Sequence, residues 1–253
     1  MMNILSYPRS IASTLFSVLW TFIFCFVILF LAGLRFPRKV VDFAIFVLWS
    51  QTLLKVNGVK VDLRGAENAH GTKKGFLICF NHSSHMDIPV LYAYFPRSFR
   101  YGAKIELFKI PFFGRAMKMV GVLPIDRRNR NQVMKVYDSA IARVNNGEVF
   151  ALAPEGTRQK EPNIGVFKRG PFEFAINAQM DIVPVVMVGT FDVLRPGALL
   201  VNWGQWSRTV VMQVLPRVST QGLPIEQAQA LQEQVRAAMV TAHETIKANR
   251  LEA

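Results

Sequence analysis

Cysteine is the scarcest chemistry-bearing residue here: Cys25 and Cys79 are the only two in 253 positions, and each lies in an apolar run. Two such cysteines make a poor disulfide framework, which argues against a small secreted scaffold. Histidine is nearly as rare, at four residues, and neither a His-Glu-x-x-His pattern nor a cysteine cluster accompanies it. No conventional metal site is therefore expected. Acidic side chains are also short: 17 Asp plus Glu stand against 30 Lys plus Arg, a formal charge of +13. The surplus points to an anionic partner, whether nucleic acid, an acidic membrane face or an acidic substrate. The chain lacks an evident basic recognition helix and a regular aromatic–basic platform, so a nucleic-acid partner is not expected. No internal repeat is visible, and the length suits one substantial core.

Long hydrophobic runs, in contrast, are plentiful at the amino terminus. Ser10 to Leu34 is 25 residues without a charge. At about 1.5 Å per residue it can cross a hydrocarbon core of about 30 Å. It exceeds the apolar core of a cleaved signal peptide, and Arg35, Arg38 and Lys39 follow at once. A retained membrane segment is the expectation. Val40 to Leu54 is apolar too, but it carries Asp42 and Gln51 and is short for a crossing. It can lie in the interface or return as the second arm of a hairpin, with Trp20 and Trp49 near the headgroups. Residues 1–54 thus read as a two-helix membrane-anchoring motif, and residues 55–253 as the soluble domain. Arg9 stands alone before the long run, while Arg35, Arg38, Lys39 and Lys55 follow it. A spanning run would leave the remainder in the cytoplasm, and a shallow hairpin would keep the amino terminus there as well.

Past Lys55 the pattern becomes that of an α/β domain. Val56 to Leu63 alternates around Asn57–Gly58 and predicts a short hairpin or strand pair. Strands are expected at 76–80, 98–103, 120–125, 149–153, 182–188 and 210–215. Helices are expected at 87–94, 131–144, 171–178 and 224–248, with short helices along a groove at 104–119. The strands are apolar almost throughout, as when helices cover both faces of a largely parallel sheet. Pro154 to Phe167 is a long polar loop between core-like elements and suits an active-site loop.

Two of the four histidines fall in CFNHSSHMDIP, residues 79–89. On one regular helix His82 and Asp87 would lie about 140° apart and could not meet. A strand ending at Phe80 and a helix starting near Asp87 let the carboxylate fold back on the imidazole. That is the base–orienter pair that activates a hydroxyl. A histidine filling a polar gap is the plainer alternative. His82, His85 and Asp87 all carry ligand atoms, but nothing else supports a metal; His85 reads as structural or as a pocket wall.

Three further stretches join this one: VGVLPIDRRNR (120–130), FALAPEGTRQK (150–160) and DIVPVVMVG (181–189). With NHSSHMD, and with AKIELFKIPFFG at 103–114, their order and spacing resemble the glycerolipid acyltransferase family, in particular its bacterial 1-acylglycerol-3-phosphate acyltransferases. The resemblance covers about residues 55–215, and the hydrophobic leader fits it. One departure is that Leu123 and Pro124 stand where relatives often carry a bulkier or aromatic residue, which bears on acyl-chain preference.

The resemblance implies a fatty acyl thioester of coenzyme A or acyl carrier protein as donor, with no bound cofactor. It implies lysophosphatidic acid as acceptor, and work at the cytoplasmic face of a bacterial inner membrane rich in anionic phospholipid. It casts His82 as general base oriented by Asp87. Arg158, Arg127 and Lys104 would bind phosphate. Glu155, Gly156 and Thr157 complete that loop, and Asn81, Ser84 and Pro184 support the site. Arg128 and Arg130 read as an ordinary solvated charge run.

Overall fold

The computed structural model describes residues 4–251. Seven strands form one sheet in the order β1-β7-β6-β2-β5-β3-β4. They are β1 (Val59–Arg64), β2 (Leu77–Phe80), β3 (Phe99–Lys104), β4 (Leu123–Ile125), β5 (Val149–Leu152), β6 (Ile182–Val188) and β7 (Arg208–Val214). Every neighbouring pair is parallel except β6 with β7. The sheet is therefore mixed and largely parallel.

The helices are α1 (Ser6–Gly33), α2 (Arg38–Phe43), α3 (Ser50–Val56), α4 (Asp87–Tyr94), α5 (Phe113–Met119), α6 (Arg130–Asn145), α7 (Gly170–Asn177), the single turn α8 (Thr190–Val193) and α9 (Ala228–Leu251). A π-helical stretch, Ala44–Trp49, makes α2 and α3 continuous.

β2, β5 and β6 are buried at every position, and their side chains alternate between two cores. Leu77, Cys79, Phe150, Leu152 and Val186 face the core shared with α6, α7 and α9. Ile78, Phe80, Ala151, Val183 and Val185 face the core under α3 and α4. Burial on both faces explains why these strands carry no polar alternation. Pro184 occupies the middle of β6 without breaking the sheet. Its carbonyl accepts from Leu215 at 2.8 Å just past the β7 ladder, so the donor it lacks costs only a terminal rung.

The expected hairpin over Val56 to Leu63 does not form. Val56 ends α3, Asn57 and Gly58 turn the chain, and one strand begins at Val59. Asn57 caps the helix through Nδ2, which donates to the Leu53 carbonyl at 2.8 Å. Gly58 has φ +65°, and a Cβ there would lie 2.2 Å from the Trp206 carbonyl oxygen. The Asn–Gly pair is thus a helix end rather than a hairpin turn, two structures that share a left-handed glycine; Asn57 itself stays at φ −82°.

α1 is long and apolar enough to cross a membrane, yet one side of it is docked. Its outer face exposes Leu15, Leu19, Phe22, Phe26 and Phe30. The docked face carries hydroxyls: Ser10 donates to the Asn202 carbonyl, Thr14 accepts from the Val201 amide, Ser17 accepts from Asn57, and Thr21 accepts from the Trp49 indole. Trp49 is accordingly turned inward, away from the headgroup position expected of it. Asp42, the charge that interrupts the second apolar segment, meets Arg100 of β3 through both carboxylate oxygens at 2.8 and 3.0 Å. Arg38 spends its guanidinium on Glu148, which also binds Arg100 and Arg143. Burial alone would raise the pKa of Glu148, but the three arginines pull it below the ordinary carboxylate value.

Candidate active site

The carboxyl ends of β2 to β6 converge on one side of the sheet, the edge where open α/β folds bind ligands. β2 delivers residues 81–87, β3 delivers Lys104, β4 delivers Arg127, and β5 delivers the 153–158 loop. Where β2 leaves the sheet, Asn81 replaces the backbone ladder. Its amide donates to the Met187 carbonyl at 2.9 Å and accepts from the Met187 amide at 2.7 Å.

The chain then turns through Ser83 and Ser84 into α4, whose first residue is Asp87 and whose first turn holds Pro89. This geometry closes the His82–Asp87 pair: Nδ1 lies 2.8 Å from Asp87 Oδ2. The same oxygen accepts the Ser83 and Ser84 amides, both at 2.9 Å. Asp87 is fully buried, and His82 is 7% exposed. A carboxylate so held accepts the proton on Nδ1, which leaves the Nε2 lone pair for chemistry. Ser84 fixes the turn, its hydroxyl donating to the Leu194 carbonyl at 2.8 Å and accepting from the Met86 amide at 3.1 Å.

The 153–167 loop locks onto this turn from the other side. Glu155 Oε2 accepts the His82 amide at 3.2 Å, and Oε1 accepts the Gly165 amide at 3.3 Å. The Gln159 amide donates to the His82 carbonyl at 2.9 Å. Burial pushes the Glu155 carboxyl up to about 7, against the pull of those two amides. Gly156 takes φ +74°, a left-handed turn that a side chain would strain although there is room for one. Thr157 is exposed and lies outside the cavity wall, so this loop brings only Arg158 to the cavity.

That cavity holds about 580 Å³ and opens on His82. Its polar end carries His85, Lys104, Arg127 and Arg158; its long apolar end runs between α1 and α5, past Phe24, Ile28, Phe113 and Met117. Partial desolvation, Arg158 and His82 all hold the His85 imidazole below its ordinary pKa. Lys104 pairs with Glu106 at 3.3 Å, whereas Arg127 and Arg158 make no ion pair or side-chain hydrogen bond among the described residues. Arg130 is not simply solvated. Its Nη2 binds both oxygens of buried Glu173, at 2.7 and 2.9 Å. Cys79 is buried within β2, and desolvation raises its thiol pKa, which removes it from nucleophilic chemistry.

Sequence reasoning missed the walls contributed by the first 56 residues: Thr21, Phe24, Cys25 and Ile28 of α1, then Ile45, Trp49 and Leu53. A signal existed. Ser6, Ser10, Ser13, Ser17 and Thr21 recur at three and four residues along an otherwise apolar helix, which marks a protein-facing side.

Residues 60–188, half of the chain, match the family model described as Acyltransferase. The chain belongs to the acyltransferase family. Among curated acyltransferases it is 31% identical to human 1-acyl-sn-glycerol-3-phosphate acyltransferase alpha, over 85% of this chain and 76% of that one. It is 31% identical to the chloroplastic 1-acyl-sn-glycerol-3-phosphate acyltransferase of Brassica napus, over 55% of this chain and 40% of the relative's length. The fold matches a crystal structure of the 1-acyl-sn-glycerophosphate acyltransferase from Thermotoga maritima with TM-score 0.80, covering 95% of this chain and 97% of that one at 23% identity. This acyltransferase thus shares the architecture of that crystal structure over 95% of its length.

Proposed function

We propose that this protein transfers a fatty acyl group from a coenzyme A or acyl carrier protein thioester to the sn-2 hydroxyl of lysophosphatidic acid, giving phosphatidic acid. One observation carries the reading: the buried His82–Asp87 pair opens on an apolar cavity whose polar end is lined by unpaired arginines. Nε2 of His82 takes the hydroxyl proton as the oxygen attacks the thioester carbonyl. The tetrahedral intermediate collapses, the C–S bond breaks, and the imidazolium returns its proton to the departing thiolate. Asp87 holds the ring in its working tautomer. No acyl-enzyme is required, so neither Ser83 nor Ser84 acts as a nucleophile.

Arg158 supplies a planar fork for the acceptor's phosphate, with Arg127 and Lys104 beside it. The apolar end of the cavity receives alkyl chain. The exposed apolar face of α1 associates with an anionic membrane, where both long-chain substrates partition; the location we assign is the cytoplasmic face of a bacterial inner membrane.

The experiment is an acyl-transfer assay of the purified chain over a panel of lysolipids, each offered acyl-CoA and acyl carrier protein thioesters. Lysophosphatidic acid should give the highest kcat/KM. Preference for a lysolipid without a terminal phosphate would overturn the acceptor assignment.

A further inference from the structure

A second cavity, of about 280 Å³, lies at the carboxyl end of β6 on the α9 side of the sheet. Its wall includes Ser83, so consecutive residues face two cavities: His82 the apolar one, Ser83 this one. The polar groups around it are Asp192, His243, Lys247 and Arg250, with Val188 and Phe191 forming an apolar side. None of the mechanism above uses them.

Several features mark a prepared site. Arg250 is positioned: Nη2 donates to the Thr209 carbonyl at 3.0 Å, and the guanidinium packs on the turn at Gly189. Gly189 has φ +106°, and a Cβ there would lie 2.6 Å from Arg250 Nη1. Lys247, Arg250 and Asp192 form no ion pair among the described residues, which leaves two cations and one carboxylate for a ligand. His243 is 6% exposed, lines the cavity and has no hydrogen-bond partner among the described residues. Its ring nitrogens are not sealed from solvent, so the imidazole offers a polar edge to whatever occupies the cavity.

We propose that this cavity binds the phosphate-bearing pantetheine arm of the acyl donor, the chemistry that coenzyme A and acyl carrier protein share. The inference rests on the acyl-transfer reading above. In that reading, the rim arginines hold the acceptor's phosphate, so the donor's carrier must leave His82 in another direction. This cavity begins one residue away. Lys247 and Arg250 bind the phosphate, Asp192 accepts an amide N–H of the arm, and Phe191 and Val188 cover its alkyl part.

The test titrates free coenzyme A into the full-length protein by calorimetry, for wild type, Lys247→Ala and Arg250→Ala. Acyl-donor and acceptor kinetics are measured on the same samples. Each variant should bind coenzyme A about tenfold more weakly, as expected for one charge-assisted contact. The KM for acyl-CoA and for acyl carrier protein thioester should rise alike, with the KM for lysophosphatidic acid unchanged. Lys247 is exposed, so Lys247→Ala should keep the wild-type melting curve, which is recorded on the same samples. Unchanged coenzyme A affinity and donor KM in a wild-type-like acyl transferase would overturn the site while leaving the reaction standing. An effect confined to coenzyme A and absent with 3′-dephospho-coenzyme A would assign the cations to the nucleotide, and would also overturn it. Because the titration needs no turnover, weakened binding supports the site even if the preferred acceptor is a different lysolipid.

Discussion

His82 and Asp87 are buried and already bonded to one another, whereas Arg127 and Arg158, at the same cavity, make no ion pair or side-chain hydrogen bond among the described residues. The pair is held from three directions: by the amides of Ser83 and Ser84, by Glu155 beneath the His82 amide, and by the Gln159 amide on its carbonyl. The arginines stand on loops at the polar end. Under the proposed function, the contrast follows from what each part would have to do. A base must point one way before substrate arrives, and reorganisation during reaction would cost rate. A phosphate-binding cation with a resident carboxylate would have to break that pair first, so it is better left unpaired.

The contrast can be broken most directly at the pair. His82→Ala should lower kcat by about 10²- to 10⁴-fold, the range for losing a general base. Asp87→Asn should lose nearly as much while retaining the wild-type circular dichroism and melting curve, because shape survives but the tautomer is no longer imposed. Near-normal turnover of either purified variant would separate the pair from the chemistry.

The arginines should respond differently. Arg158→Ala should reduce kcat/KM for lysophosphatidic acid by about 10- to 100-fold, the value of a hydrogen-bonded charge contact. It should spare stability, since no partner inside the protein is lost. Arg158→Lys keeps the charge without the planar fork and should recover only part. Equal losses on a lysolipid lacking the terminal phosphate would show that Arg158 does not read phosphate.

Glu155 sharpens the comparison from beneath. Its carboxyl is raised from about 4.5 to about 7 by burial. Between those values the folded chain binds more protons than the unfolded one, so this group makes stability fall as pH rises from about 4.5 through 7. Glu155→Gln cannot ionise and should flatten that slope in urea denaturation at pH 5, 6 and 7.5. An unchanged slope would mean that another group carries it.

The smallest effect is expected on the outer face of α1, far from the reacting atoms. α1 and α9 dock on the domain in different ways: the first half of α1 turns hydroxyls inward and apolar side chains such as Leu15 and Leu19 outward, while α9 buries Ala228, Leu231, Val235 and Met239. Leu19→Gln should weaken co-sedimentation with anionic vesicles a few-fold, in proportion to the apolar area removed from lipid. Turnover of a short-chain, water-soluble substrate pair should hold. Undiminished vesicle binding would place the lipid contact elsewhere.

Much of this was legible in the chain. The strands β5, β6 and β7 were bounded to within one or two residues, because strands buried on both faces are continuous apolar runs closed by turn residues. The early helix start at Asp87 was legible from Pro89, which a helix tolerates only in its first turn. The misread segment was Val56 to Leu63, where Asn57–Gly58 has the signature of a hairpin and serves as a helix end. Asp42 and Arg100 were unreadable as partners, since 58 residues separate them and only the docking of α2 on the sheet edge brings them together. The same holds for Arg130 and Glu173.

By itself the sequence determined the alternation of strand and helix, the apolar amino terminus, and the chemical types gathered in NHSSHMD and PEGTR. These are local properties, written in periodicity, propensity and composition. Tertiary structure decided which distant groups meet: that Glu155 sits under the His82 turn while Arg158 reaches the cavity, and that α1 walls the cavity as well as facing outward. Those outcomes depend on the order in which strands lie side by side. That order is set by packing between residues far apart in the chain, and no local pattern encodes it.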